Sequence, residues 1–90
     1  EGLYSDGTGF YIDGGRDAHA WVSGWVARVG WYGSYGRCVI IMDDDARYWL
    51  YSHLSETYVK PHETVAAGTK LGHTGTTGFA ETERLCIQIF

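Results

Sequence analysis

The chain of 90 residues has a formal charge of −4, no run of Lys or Arg, and no apolar stretch approaching the ~18–20 residues of a membrane span. Nucleic acid and anionic membrane surfaces are therefore excluded as expected partners, because no cationic face exists to release their counterions. Apolar residues at 44% and charged residues at 20% exclude a disordered tail. A chain this short buries one core, so residues 1–90 read as a single domain.

Thirteen glycines and one proline separate short apolar segments. That pattern speaks for many turns, against long helices, and for an all-β domain. Residues 1–15 are glycine-rich and loop-like around a short strand, Gly9-Phe10-Tyr11-Ile12. The chain does not start with Met and its first residues lack a charged segment followed by an apolar one, so it reads as a segment of something longer. Ala18 to Val29 is β-branched and aromatic but interrupted at Ser23-Gly24, which predicts two strands or one strand bent by a bulge.

Gly30 to Gly36 reads as a loop rich in aromatics, with Trp31, Tyr32 and Tyr35. Cys38-Val39-Ile40-Ile41-Met42 is uniformly apolar, as in a strand covered on both faces. Asp43-Asp44-Asp45-Ala46 then makes a turn into Arg47–His53, completing a hairpin. The triple Asp lacks the spaced ligands of a calcium loop and reads as a solvated turn. Alternation puts Trp49, Tyr51 and His53 on one face and Tyr48, Leu50 and Ser52 on the other, with His53 at the strand's end.

The stretch Tyr51–Gly78 holds two short strands, turns at Lys60-Pro61-His62 and Ala67-Gly68, and a glycine-rich loop from Gly72 to Gly78. His62 in its turn and His73 in that loop read as solvent-facing, and His19 lies in an alternating strand facing either side. In the last strand Leu85, Ile87 and Ile89 face the core, leaving Arg84, Cys86 and Gln88 opposite. Cys38 and Cys86 sit in apolar runs, which favours two buried thiols and leaves a single bridge open. The aromatic content, 16%, suits strands and equally suits a face that stacks on sugars or peptides.

Taken together from about Gly15 to Ile89, the chain resembles the lysostaphin-type (LytM-like) zinc endopeptidases that cut bacterial cell-wall cross-links. Ser23-Gly24-Trp25-Val26 resembles that family's DG-x-V strand, and Tyr35-Gly36-Arg37-Cys38-Val39-Ile40-Ile41 its YGN-x-V-x-I. Tyr51-Ser52-His53-Leu54-Ser55 is similar to YAHLS. Val59–Gly68 is similar to VK-x-GD-x-V-x-x-G, and Leu71–Gly78 to IG-x-x-GSTG. The resemblance implies a small antiparallel β-sandwich or barrel-like fold of the lysostaphin type.

It also implies a zinc site whose ligands this chain has largely lost. The family holds zinc with the His and Asp of HxxxD and the second His of HLHFE, with catalytic His residues in HLHFE and YAHL. Here the HLHFE stretch is Arg84-Leu85-Cys86-Ile87-Gln88, so Arg84 stands at the catalytic position and Cys86 at the ligand position. Upstream, a four-residue deletion keeps the acid as Asp13 and leaves Gly9 in place of the ligand His. An ungapped register leaves Ser5 and Gly9 instead. His53 is the one family catalytic residue retained.

A hydrolytic zinc needs three protein ligands and an open position for water. Gly9, Asp13 and Cys86 do not supply them, so no metal cofactor is expected. The expectation is a degenerate, non-catalytic domain that binds a cell-wall peptide or a protein partner, in the cell envelope or a phage virion. Trp31, Tyr32, Tyr35, His53 and Arg84 would line the groove, the Arg84 guanidinium standing in for the lost cation and binding a carboxylate. The alternatives are an active zinc endopeptidase with an atypical ligand set and a structural assembly domain.

Overall fold

A computed structural model describes residues 3–5, 10–13, 17–75 and 84–90, with side chains described for 17–75 and 87–90. Its elements are β1 (Leu3–Ser5), β2 (Phe10–Asp13), β3 (Asp17–His19), β4 (Gly24–Trp31), a 3₁₀ turn (Gly33–Tyr35) and β5 (Arg37–Asp43). There follow β6 (Tyr48–Thr57), β7 (Thr64–Val65), β8 (Lys70–Thr74) and β9 (Arg84–Ile89). All described pairings are antiparallel. Among the described residues no helix is long and apolar enough to cross a membrane.

The strand order β1-β2-β9-β6-β5-β4-β7 forms one path, and β8 adds to β6 and carries β3. The sheet curls on itself as a half-barrel around the side chains that alternation directs inward. Val26 of β4, Val39 and Ile41 of β5, Tyr51 and Leu54 of β6, Leu71 of β8 and Ile87 of β9 are fully buried there. Ala18 and Ala20 close one side, and Trp21 packs edge-on against Trp49, their rings 6.5 Å apart. Removing any one of the buried aliphatic side chains would cost about 2–5 kcal/mol, because neighbours held in a sheet relax little into a cavity.

Several expectations hold. The Ala18–Val29 region contains two strands, β3 and β4, and the second is also bulged, with an extra residue between Val26 and Arg28. The Asp43 turn joins β5 to β6 as a hairpin, closed by Asp43 N donating to Arg47 O at 2.9 Å. Turns occur at Pro61-His62 and Ala67-Gly68. Cys38, Val39 and Ile41 are buried, while Ile40 and Met42 are only half-covered, so β5 has one dry face and one partly open face.

Others are corrected. Residues 1–15 hold a second short strand, β1, beside β2. Gly30 and Trp31 belong to β4, so the aromatic loop is confined to Tyr32–Gly36. Asp43 is buried at 8% exposure, so of the three Asp only Asp44 and Asp45 are solvated. His53 does not end its strand: β6 continues to Thr57. His73 lies in β8 rather than in a glycine loop, and is half-buried. Ile89 is 42% exposed, since β9 outruns the core there, whereas Ile87 is fully buried as expected. The side chain of Leu85 and the loop Thr76–Gly78 lie outside the described residues.

Candidate functional site

The site is organised by a bulge in β6. Arg37 pairs with Leu54 and Val39 with Tyr51, so Ser52 and His53 together oppose the single residue Cys38. His53 takes up the extra length with φ at +63°, a left-handed conformation uncommon for a residue with a Cβ. The same residue marks a change of partner. Trp49–Ser52 pair with β9, Leu54–Thr57 pair with β8, and the His53 carbonyl accepts from Gly75 N at 2.9 Å where the strands diverge. His53 is half-buried at that fork.

Strand register carries the other candidates to the same end of the sheet. Trp31, Arg37, Leu54 and Thr74 form one cross-strand row. Tyr11, Cys86 and Ser52 form the neighbouring row, and Asp13 pairs with Arg84 two residues further along. The hairpin between β4 and β5 closes tightly, Tyr35 N donating to Tyr32 O at 3.0 Å and Tyr32 N to Gly36 O at 2.9 Å. Trp31 is 56% and Tyr35 38% exposed, while Tyr32 is half-buried. Behind them Cys38 is buried and its thiol donates to the Gly36 carbonyl at 3.2 Å.

Gly9 lies outside the described residues, and Asp13, Arg84 and Cys86 are described in their backbone alone. Among the described residues, no three His, Cys, Asp or Glu side chains stand together so as to hold a metal ion. The other histidines have separate settings. His19 is exposed on β3. His62 is exposed in its turn at φ +75°, its ring 5.2 Å from that of Trp25.

Two polar arrangements escaped the sequence. Asp17 of β3 gathers His73 Nδ1 at 3.0 Å, Lys70 Nζ at 3.3 Å and the Tyr58 hydroxyl at 3.3 Å, and the hydrogen bond from His73 leads the effects that lower its pKa. Asp43 accepts from Trp49 Nε1 at 2.9 Å, from the Asp45 and Arg47 amides and from Arg47 Nε, which hold its carboxyl down at about 2. Tyr51, of the Tyr51-Ser52-His53-Leu54 run, is a core residue. Burial pushes its pKa up to about 12, and its hydroxyl accepts from Trp21 N at 3.1 Å. A carboxylate's partners on distant strands leave no local signature, which is why Asp17 passed unnoticed.

Residues 4–90 match the profile of peptidase family M23. The chain belongs to that family. It is 32% identical over 84 residues to lysostaphin from Staphylococcus simulans, covering 91% of this chain, and 30% identical over the same share to the glycyl-glycine endopeptidase ALE-1 from Staphylococcus capitis. It spans only 17% and 23% of those two curated relatives. The crystallised catalytic domain of S. simulans lysostaphin superposes with a TM-score of 0.87 at 27% identity, covering 99% of this chain and 74% of that one. A zinc-containing peptidase from Vibrio cholerae, 19% identical with a TM-score of 0.83, covers 100% of this chain and 32% of that one, and shares the fold.

Membership in M23 makes zinc the metal to test against this donor set. The register of β2, β9 and β6 brings to the His53 end one carboxylate residue, Asp13, one thiol residue, Cys86, and between them a residue that donates but never coordinates, Arg84. Two donors of differing softness at these register positions fall short of the three that a hydrolytic zinc needs, and an arginine between them in the register adds no ligand. Among the described residues, those at these positions do not fit the M23 metal.

Proposed function

We propose that this M23 chain is a non-catalytic, peptidase-derived module that binds a cell-wall peptide, or a protein partner presenting similar chemistry, at the His53 end of its sheet. The observation that supports this is the strand register: among the described residues, the positions paired toward His53 include Arg84 opposite Asp13 and, besides His53 itself, only Asp13 and Cys86 as possible metal donors. Trp31 and Tyr35 offer exposed rings, Tyr32 braces them, His53 sits at the fork, and Arg84 supplies a planar fork of donors for a peptide carboxylate. Kinship with lysostaphin and ALE-1 supports action outside the cytoplasm, at a cell envelope.

The test joins three measurements on the purified chain: zinc content, cleavage of cross-linked wall peptide, and binding of the same peptide. The expected result is less than stoichiometric zinc, no cleavage, and saturable binding that weakens about tenfold in Arg84→Ala and in Trp31→Ala. Stoichiometric zinc lost in Cys86→Ala, together with cleavage, would instead establish an active endopeptidase with an atypical ligand set. Neither metal nor peptide binding would leave a structural assembly domain.

A further inference from the structure

At the other end of β4 and β5 lies a second concavity, of about 420 Å³, whose lining includes Ser23, Trp25, Met42, Asp44, Thr64 and Val65. Along β5 it is separated from the His53 end by the stretch from Cys38, opposite His53, to Met42, about 13 Å at the rise of an extended strand. Trp25 is 37% exposed. In the sheet it stands between Met42 and Thr64. Its ring rests against that of His62 at 5.2 Å, tilted by 46°, and His62 is itself tied down by its amide donating to Val26 O at 2.7 Å. His62 is absent from the lining, so the ring is braced on one side and borders the hollow on another.

The polar groups around this platform are acceptors and hydroxyls. Ser23 Oγ accepts from Ala67 N at 3.1 Å and keeps its own proton to donate. Thr64 adds an exposed hydroxyl and Asp44 an exposed carboxylate. Asp43 also borders the hollow, but its oxygens are already taken by Trp49, Arg47 and the Asp45 amide. We propose that this hollow is a saccharide-binding site, taking a neutral β-linked pyranoside whose C–H face lies on Trp25 while its hydroxyls donate to Asp44 and exchange hydrogen bonds with Ser23 and Thr64.

Charge and rigidity choose this ligand. Among the described residues, two carboxylates with one guanidinium in contact, that of Arg47, disfavour an acidic sugar or a phosphate. One exposed carboxylate in open water holds a simple cation weakly, whereas it accepts readily from a pair of adjacent sugar hydroxyls. A ring already fixed by its neighbours loses no freedom when a flat apolar face stacks on it.

The test is a titration of the ¹⁵N-labelled chain with two soluble probes, a trimer of β-1,4-linked N-acetylglucosamine and cellotriose. Saturable shifts are expected in the Trp25 indole N–H and the amides of Gly24, Asp44 and Thr64, with the Trp31 indole unmoved. Trp25→Ala should weaken binding by about tenfold and Asp44→Asn several-fold, while Trp25→Tyr retains it. If Trp25→Ala does not fold, Asp44→Asn, an exposed position, still decides. The proposal is overturned by shifts confined to the Trp31 and His53 end, by unchanged affinity in Asp44→Asn, or by no shift up to about 20 mM of either probe. Because the two ends are separate, loss of this site leaves the peptide reading untouched, and the reverse.

Discussion

His73 Nδ1 stands 3.0 Å from Asp17 Oδ1, reinforcing the one described strand pairing of β3, with β8. Lys70 and Tyr58 reach the same carboxylate, and Glu56 lies opposite His73 in the register with β6. The pKa of Asp17 is lowered from its ordinary 3.8, first by the His73 hydrogen bond. A depressed carboxylate contributes stability above its unfolded value that disappears as pH falls through the folded one. Asp17→Asn should therefore melt below the native chain at pH 7, and the gap should close as pH drops below about 4. A gap that stays constant to pH 3 would contradict the pairing.

Asp43 makes the stronger case of the same kind. Its carboxylate is the hub of the β5–β6 turn, and its pKa of about 2 owes most to the Trp49 indole N–H. The stability it lends is complete above the ordinary value of 3.8 and fades between that value and about 2. Asp43→Ala strips two turn amides of their acceptor and leaves the indole donor of Trp49 buried and unpaired, which is the costly half of losing a hydrogen bond. A Tm lower by several degrees at pH 7 is expected, with a smaller deficit at pH 2.5. Trp49→Phe in the Asp43→Ala background should cost less than it does alone, since the two groups share one interaction.

This hairpin was legible because its signals are local: three Asp between an apolar run and an alternating one. The order of motifs likewise made the M23 fold readable. What escaped depends on chain segments far apart in sequence. His53 looked like a strand end because the bulge at Ser52-His53 breaks alternation without any Gly or Pro to announce it. Gly72 suggested a loop, yet it lies in β8 because a Cβ there would collide with the Glu56 carbonyl on β6. Sequence proximity cannot reveal such a close approach. The convergence of Asp13, Arg84 and Cys86 on His53 follows only from the pairing of β2 with β9 and of β9 with β6.

The bulge makes its own prediction. His53 holds a φ of +63°, which disfavours any residue with a Cβ by about 1 kcal/mol and leaves glycine indifferent. Comparison of His53→Ala with His53→Gly isolates the backbone, since both remove the imidazole. The glycine variant should be the more stable by about 0.5–1 kcal/mol in denaturant melts at pH 7. In an ordinary strand the order would be reversed, so an alanine variant equal to or better than glycine would deny the left-handed conformation. Neither change should disturb the Trp25 end, where the indole resonance serves as an internal control.

The metal question can be approached from the other direction, by rebuilding the family's cage. If the site is inert because donors are lacking, donors restored one at a time should fail until the third arrives. Cys86→His alone leaves one imidazole and the Asp13 carboxylate, with a cationic residue, Arg84, still paired opposite Asp13. Adding Arg84→His removes that charge but still leaves the upstream imidazole missing. Only with Gly9→His as well does the chain present two imidazoles and a carboxylate as ligands, the minimum that holds a zinc while leaving a position for water. Titration calorimetry should find weak zinc binding in the single and double variants and about one tightly bound equivalent in the triple variant. Tight binding by the native chain would mean that donors from elsewhere in the fold already complete the cage, and the non-catalytic reading would fall.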